Sequence, residues 1–407
     1  MGIGGTGVSS LAQVLIAQGH SVSGCDSRRS ATTDRLSAAG AEVAIGHEPA
    51  HVAGQDLLVH SAAVPADSAE LAAARAAGVR SITRAELLAE LITGSRSVAI
   101  AGTHGKTTTT HMTGQVLTAA GYDPTVLVGD GASTRVGGGG WLVAEADESD
   151  GSLVLHRPSH AIVTNLELDH PDHYRDLAAV RSVFERFISQ VGELAVVCAE
   201  DPELMRLPAP HRVTYGIDVG DYQATRLGLR VGVAGRHNLL NATGAAALAL
   251  EVGVPEATVK EALAGFAGSR RRLERVGRWR GAALYDDYGH HPTEVRATLQ
   301  AAAELNPGGR LLIVFQPHRY TRLAALLDGF AGCFGGADEV IVTEVYAAGE
   351  QANGTSGQDL AARVPNASFA AGPRQVEDRL ADRVRPGDLI LFMGAGDIWK
   401  LAHDLAE

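Results

Sequence analysis

Short apolar runs rich in β-branched residues alternate along most of the chain with longer Ala- and Leu-rich stretches of helical period. Bounded by glycine or polar turns, such short runs read as buried strands. They fall at Ser21–Cys25, Leu57–His60, Val98–Ala101, Trp141–Glu145, His160–Thr164, Leu194–Val197, Ala282–Asp286, Leu311–Phe315, Val340–Thr343 and Leu389–Met393. Helices are predicted between them, among others at Ser9–Ala17, Ser68–Ala77, Thr107–Ala120, Leu239–Glu251, Glu256–Ala264, Thr293–Leu305 and Arg374–Arg383. Strand and helix in alternation predict an α/β fold with parallel sheets. The pattern breaks twice, at Thr93–Arg96 and at Phe266–Ser269 before the triplet Arg270–Arg272. Three domains are expected, 1–95, 96–268 and 269–407, which suits 407 residues at roughly 150 per domain. No internal repeat is visible, and Gly137–Gly140 reads as a flexible hairpin or loop.

Composition narrows the partners. Hydrophobic residues at 45% and charged residues at 20% are ordinary for a chain that buries full cores. A formal net charge of −12 argues against nucleic-acid or anionic-membrane binding, and aromatics at 5% offer few stacking platforms. The cysteines, Cys25, Cys198 and Cys333, lie far apart and form no C-x-x-C pair. That makes a disulfide framework or a zinc site an unexpected outcome and a reducing cytoplasm the expected compartment. No apolar run reaches the roughly 20 residues of a membrane span, and the N-terminus lacks signal-peptide character. The oligomeric state leaves no trace in the sequence.

The strongest chemical motif is the strand Val98–Ala101 running into Gly102-Thr103-His104-Gly105-Lys106-Thr107-Thr108 and then a helix. Backbone N–H groups and a helix dipole converge there on a phosphate. Lys106 is expected at the β- and γ-phosphates and Thr107 at a magnesium ion. The loop is a short G-x-x-G-K-T, since Ile100 stands where the longer form has its first glycine. A second strand ends in Glu145, Asp147, Glu148 and Asp150, an oxygen-rich cluster of the kind hard cations prefer. A third runs into Thr164–Tyr174, which holds Asn165, Asp169, His170 and His173. Gly235–Asn241 opens a helix whose amides suit a nucleobase edge, or Asn238 serves only as a cap. Gly2–Gly7 matches the diphosphate fingerprint G-x-G-x-x-G, with Asp26 placed to hold a ribose hydroxyl. This fingerprint lacks the strand that ordinarily precedes it, and a start downstream of the natural one is the expectation. In the third domain, Tyr285–Glu294 and Phe315–Arg322 are imidazole- and arginine-rich loops at strand C-termini, where open α/β sheets bind ligands. Arg319 and Arg322 suit a carboxylate or a γ-phosphate.

Taken in order, Gly2–Gly7, GTHGKTTTT at Gly102–Thr110, EADESD at Glu145–Asp150, TNLELDHPDHY at Thr164–Tyr174, GRHNLLN at Gly235–Asn241, DDYGHHPTE at Asp286–Glu294 and FQPHRYTR at Phe315–Arg322 resemble the Mur ligases. The resemblance covers nearly the whole chain and implies three domains. These are a Rossmann-like N-terminal domain with its first strand apparently missing, a central P-loop ATPase-like domain and a Rossmann-like C-terminal domain. It implies an ATP- and Mg²⁺-dependent ligase that joins L-alanine to the lactyl carboxylate of UDP-N-acetylmuramate through an acyl phosphate. Gly2–Gly7 and the compact length favour this member over a relative that attaches a preformed tripeptide in cell-wall recycling. The resemblance places Gly4, Gly5 and Gly7 at the diphosphate, Asp26 at the uridine end and the turn His60-Ser61-Ala62-Ala63 along the same substrate. It places ATP on Gly102–Thr108 and Asn241, and metal on Thr107, Glu148 and His170, with Glu145 the alternative to Glu148. Tyr288, His290, His318, Arg319 and Arg322 then face the reacting groups. Lys106, His170, His318 and Arg319 carry the chemistry, and closure of the domains on substrate is expected. A folylpolyglutamate synthase would share the ATP loop but not the fingerprint, and an NAD-dependent oxidoreductase would leave GTHGKT unexplained. A non-catalytic nucleotide sensor remains the reading from a different class.

Overall fold

In the computed structural model, residues 1–61, 63–129 and 133–406 are described. They form two compact units, one of Met1–Leu166, Arg181–Gly228 and Ala242–Leu263, the other of Glu167–Val180, Leu229–Asn241 and the chain from Ala264 onward. Among the described residues no helix is long and apolar enough to cross a membrane.

The first unit is built on a seven-stranded, wholly parallel sheet. Its strands run, across the sheet, Tyr222–Gln223, Arg212–Gly216, Leu194–Cys198, His160–Val163, Arg96–Ala101, Trp141–Glu145 and Thr125–Leu127. Val98–Ala101 is completely buried, as a central parallel strand covered on both faces must be, and its unbroken apolar run follows from that. The N-terminal residues of the same unit form two separate parallel pairs, Ser23–Asp26 with Glu42–Ile45 and Leu57–His60 with Arg80–Thr83. Met1–Ile3 lies between them: the Met1 amine donates to Val59 O at 2.6 Å, and the Gly2 and Ile3 amides to Cys25 O. Leu11 and Val14 of helix Thr6–Ala17, and Leu87, Leu88 and Ile92 of helix Arg84–Thr93, share one core with Leu127, Leu142 and Ala144 of the large sheet.

The second unit carries a six-stranded sheet in the order Glu274–Trp279, Ala282–Asp287, Leu389–Met393, Leu311–Phe315, Glu339–Thr343, Ala367–Ala370; only the first strand is antiparallel to its neighbour. Two-residue alternation sorts its side chains. Leu311, Ile313 and Phe315 face a core with Val295, Leu299 and Phe330, while Leu312 and Val314 face another with Val376, Leu380 and Leu401.

Every strand expected from the pattern is present within a residue or two of its expected ends. Those the pattern missed, Glu42–Ile45, Arg80–Thr83, Thr125–Leu127, Arg212–Gly216, Tyr222–Gln223, Glu274–Trp279 and Ala367–Ala370, are short or lie at or next to a sheet edge, and most are only part-buried. Helices Arg84–Thr93 and Leu177–Ser189 were not singled out either. Gly137–Gly140 is a loop packed so closely on Tyr122 and Asp123 that a Cβ at Gly139 would sit 1.7 Å from the Tyr122 carbonyl oxygen.

Candidate active site

Three adjacent strands of the first unit, Arg96–Ala101, Trp141–Glu145 and His160–Val163, deliver their C-termini to one place. From the first, the chain turns through Gly102 at φ +140° and Gly105 at φ +82°, and helix Lys106–Ala119 begins. A Cβ on Gly102 would lie 1.9 Å from Thr164 Oγ1, so only glycine lets the third strand end come this close. Thr164 and Asn165 use that proximity. Thr164 Oγ1 donates to His104 O at 2.6 Å, and the Asn165 side-chain Nδ2 donates to the same oxygen at 3.0 Å. In return the His104 amide donates to Asn165 Oδ1 at 2.8 Å, and the Thr103 amide to Asn165 O at 3.1 Å. Thr108 is buried on the helix that follows.

Lys106 Nζ donates to Gly102 O at 2.7 Å, Thr103 O at 3.2 Å and Glu148 Oε2 at 2.8 Å, with Asp147 3.8 Å away. Burial alone would lower the lysine's pKa, but the carboxylates of Glu148, Asp147 and Glu145 hold it above its ordinary value. Burial pushes Glu148 up to about 7, with Lys106 opposing and Asp147 adding to the rise. Thr107 Oγ1 lies 3.1 and 3.2 Å from the two Glu145 oxygens, and Glu145 also accepts from the Gly129 amide. Of the two acids the sequence left open, Glu145 meets Thr107 and Glu148 meets Lys106. Threonine hydroxyl and carboxylates together form an all-oxygen donor set that fits a hard divalent cation.

In the N-terminal part of this unit, the Gly4 amide donates to Asp26 Oδ2 at 2.9 Å, and Gly5 precedes helix Thr6–Ala17 as its cap residue. A Cβ on Gly7 would strike Arg84 at 2.5 Å. Ser61 Oγ accepts from the Ala63 amide at 3.2 Å, while Ala62 lies outside the described residues. The fingerprint and its acid are therefore already in contact.

The second unit gathers the histidines and arginines. Arg322 is 3% exposed and its Nε and NH2 donate to the two oxygens of Asp169, at 2.8 and 3.2 Å. Its NH1 donates to His318 Nδ1 at 3.3 Å, which leaves the proton of a neutral His318 on Nε2. Burial, with His290, Arg322 and Arg319 adding, takes His318 down to about 3. His290 is likewise lowered to about 4 by burial and donates from Nδ1 to Tyr288 O at 3.0 Å. The His318 ring stacks on Tyr346. Arg319, at φ +68°, donates to Asp172 at 2.6 Å. His170, also at positive φ, places Nε2 3.7 Å from Asp169. Asn241 is buried on helix Arg236–Glu251. The structure thus brings Lys106, Thr107, Glu145 and Glu148 together in one unit. It brings His170, His290, His318, Arg319 and Arg322 together around Asp169 and Asp172 in the other. Sequence reasoning did not assign Asp169, Asp172, Thr164 or Asn165 a partner, although all four lie in the motif after His160–Val163.

Family models match three stretches of the chain. The Mur ligase family catalytic domain matches residues 1–96, the Mur ligase middle domain 138–249, and the Mur ligase glutamate ligase domain 271–396. The UDP-N-acetylmuramate–L-alanine ligase of Solidesulfovibrio magneticus is 44% identical, covering 100% of this chain and 96% of its own length. That of Acidothermus cellulolyticus is 43% identical over 97% and 91%. The crystal structure of UDP-N-acetylmuramate–alanine ligase from Thermotoga maritima superposes with a TM-score of 0.80 at 29% identity, covering 99% of this chain and 96% of that one. A murein peptide ligase from Psychrobacter arcticus shares the fold with a TM-score of 0.71 at 24% identity. With a phosphate loop braced between carboxylate-bearing strand ends, and with family models matching each of its three regions, the chain belongs to the Mur ligase family.

Proposed function

We propose that this chain joins L-alanine to the lactyl carboxylate of UDP-N-acetylmuramate at the expense of ATP. The observation that carries the reading is full-length identity of about two residues in five to ligases of that name, around a complete Lys106 phosphate loop. The chemistry asks little covalent work of the protein. The carboxylate attacks the γ-phosphorus, ADP leaves, and the resulting acyl phosphate is attacked by the alanine amine with loss of phosphate. Catalysis is then positioning and charge neutralisation. Lys106, held cationic in its carboxylate pocket, supplies a buried positive charge for the migrating phosphoryl group. Thr107, Glu145 and Glu148 would hold Mg²⁺, which offsets phosphate charge when bound. Asn241 is assigned to the adenine, and Gly4, Gly5, Gly7, Asp26 and Ser61 to the sugar nucleotide. Tyr288, His290, His318 and Arg319 are assigned to the amino-acid end. The fork of Arg322 is already spent on Asp169, which supports a positioning role for it beside His318. A neutral His318 with its proton on Nε2 is suited to hydrogen-bond an incoming carboxylate. We place the three domains at 1–95, 96–268 and 269–407, and the enzyme in the cytoplasm, where its three buried free cysteines stay reduced.

The test is phosphate release with MgATP and UDP-N-acetylmuramate, with and without a panel of amino acids and the murein tripeptide. Release that requires the sugar nucleotide and L-alanine together is expected. Release with the tripeptide alone would assign the chain to the recycling reaction, and no release under any condition would sink the ligase reading.

A further inference from the structure

Away from the phosphate loop, four side chains with metal-ligating atoms meet in the N-terminal part of the first unit. Cys25 lies on strand Ser23–Asp26, His47 follows strand Glu42–Ile45, His51 sits in the turn Pro49–Val52, and Glu70 opens helix Ala69–Ala77. Cys25 Sγ is 3.0 Å from Glu70 Oε1 and 3.5 Å from His47 Nδ1. His47 Nδ1 is 3.1 Å from Glu70 Oε2, and His51 Nδ1 is 3.1 Å from Glu70 Oε1. The ligand atoms of Cys25, His51 and Glu70 all lie within 4.8 Å of one another. Cys25 is 3% and Glu70 1% exposed, whereas His47, with 41% of its side chain exposed, stands at the rim.

We infer that Cys25, His47, His51 and Glu70 form a tetrahedral zinc site that staples the N-terminal domain. Bonds of about 2.0–2.3 Å around zinc put neighbouring ligand atoms about 3.3–3.8 Å apart, and the four separations given above, Cys25–Glu70, Cys25–His47, His47–Glu70 and His51–Glu70, are within a few tenths of an ångström of that range. His47 and His51 have the H-x-x-x-H spacing common among zinc ligands. Thiolate, imidazole and carboxylate together are the donor set of zinc rather than of magnesium or calcium. Charge also balances. Zn²⁺ displaces the Cys25 thiol proton to solvent, and thiolate plus carboxylate then cancel the dication, with both imidazoles neutral. Among the side chains of the described residues, the buried Cys25 thiol and Glu70 carboxylate otherwise meet only each other and the His47 and His51 imidazoles. The ion would also add a second tie between the two strand pairs that Met1–Ile3 already bridges through backbone hydrogen bonds. Cys25, His47 and His51 belong to the strand pair Ser23–Asp26 and Glu42–Ile45, while Glu70 stands on the helix linking the strands of the other pair. Cys25 directly precedes Asp26, so the staple would fix the acid that holds the Gly4 amide.

The test uses the full chain, stripped with a chelator and titrated with Co²⁺ and with Zn²⁺. One tightly held ion per chain is expected, with a thiolate-to-cobalt charge-transfer band and the intense visible bands of tetrahedral cobalt. A magnesium site of oxygen ligands gives no such band, so the phosphate loop cannot mimic the result. Cys25→Ser should abolish the band and weaken zinc by more than the roughly 10–100-fold that loss of a mere supporting contact costs. His47→Ala, at the exposed rim, should weaken zinc while the band persists. Cys198→Ser and Cys333→Ala, which change cysteines buried elsewhere, should leave the band intact. A wild-type chain with no thiolate–cobalt band, or one that binds zinc no better than Cys25→Ser, would overturn the site and leave a hydrogen-bonded cluster around Glu70.

Discussion

Two buried ion pairs carry opposite meanings although their geometry is alike. Lys106 and Glu148 belong to the proposed phosphate and cation site, and the ammonium is held there by three carboxylates and two carbonyls. Lys106→Ala should lower phosphate release at least about 10²–10³-fold, the cost of removing one fixed charge from a developing anion, while UDP-N-acetylmuramate binding by calorimetry stays near wild type. Activity close to wild type would remove the lysine from its assigned role. Arg322 and Asp169 are structural by contrast, each under 5% exposed and joined through two parallel bonds. Replacing either alone by alanine strands the other charge and should cost about 3–5 kcal/mol in urea unfolding. Burial by itself would raise Asp169, but Arg322, His170 and His290 hold it well below the usual carboxylate range. Its contribution is therefore complete above about pH 4 and lost as the solution is acidified below that. Asp169→Asn should be less stable at pH 7 yet show a flatter loss of stability on the acid side.

The phosphate loop is shaped as much by its neighbour as by its own residues. Thr164 and Asn165, at the end of strand His160–Val163, together accept or donate six bonds to or from residues 101–104. Asn165→Ala removes two of them without touching the sheet. We expect KM for ATP to rise about tenfold with little change in melting temperature, since loop position rather than the core is altered. Gly102→Ala should be harsher, because its Cβ would collide with Thr164 Oγ1 and its φ of +140° disfavours any side chain. A steady-state assay that found Gly102→Ala unimpaired would show that the loop adopts another path. The loop glycines, lysine and threonine were legible in sequence, since a strand–Gly–Gly–Lys–Thr–helix string encodes its turn locally. The brace was not, because which loop lies beside it depends on strand order, and His160–Val163 reaches that place only by pairing with Arg96–Ala101.

On the scale of the molecule, sequence punctuation divides the chain near residue 95, yet the first unit is continuous across that point. Its cohesion rests on Ile92, which is fully buried among Leu11, Val14, Leu127 and Leu142. Ile92→Ala should cost about 2–5 kcal/mol. It should also speed amide exchange in Ser23–Asp26 and Trp141–Glu145 together, as expected when one cooperative body opens. Faster exchange confined to the N-terminal strands would instead mean that this region unfolds by itself. The six-stranded sheet of the second unit needs no such help, with a full core on each face.

Sequence by itself determined the α/β class, the central strands and the phosphate loop with its carboxylates, because burial on both faces and the turn into a helix leave local, periodic traces. It determined the family as well, through motifs that keep their order over the whole chain. Only tertiary structure decided that Arg322 is spent on Asp169, that Glu145 meets Thr107 while Glu148 meets Lys106, and that Cys25 sits with His47, His51 and Glu70. Each of these pairings joins residues from different strand ends or loops. Such neighbours are set by sheet order and register, which no periodicity within a single segment records.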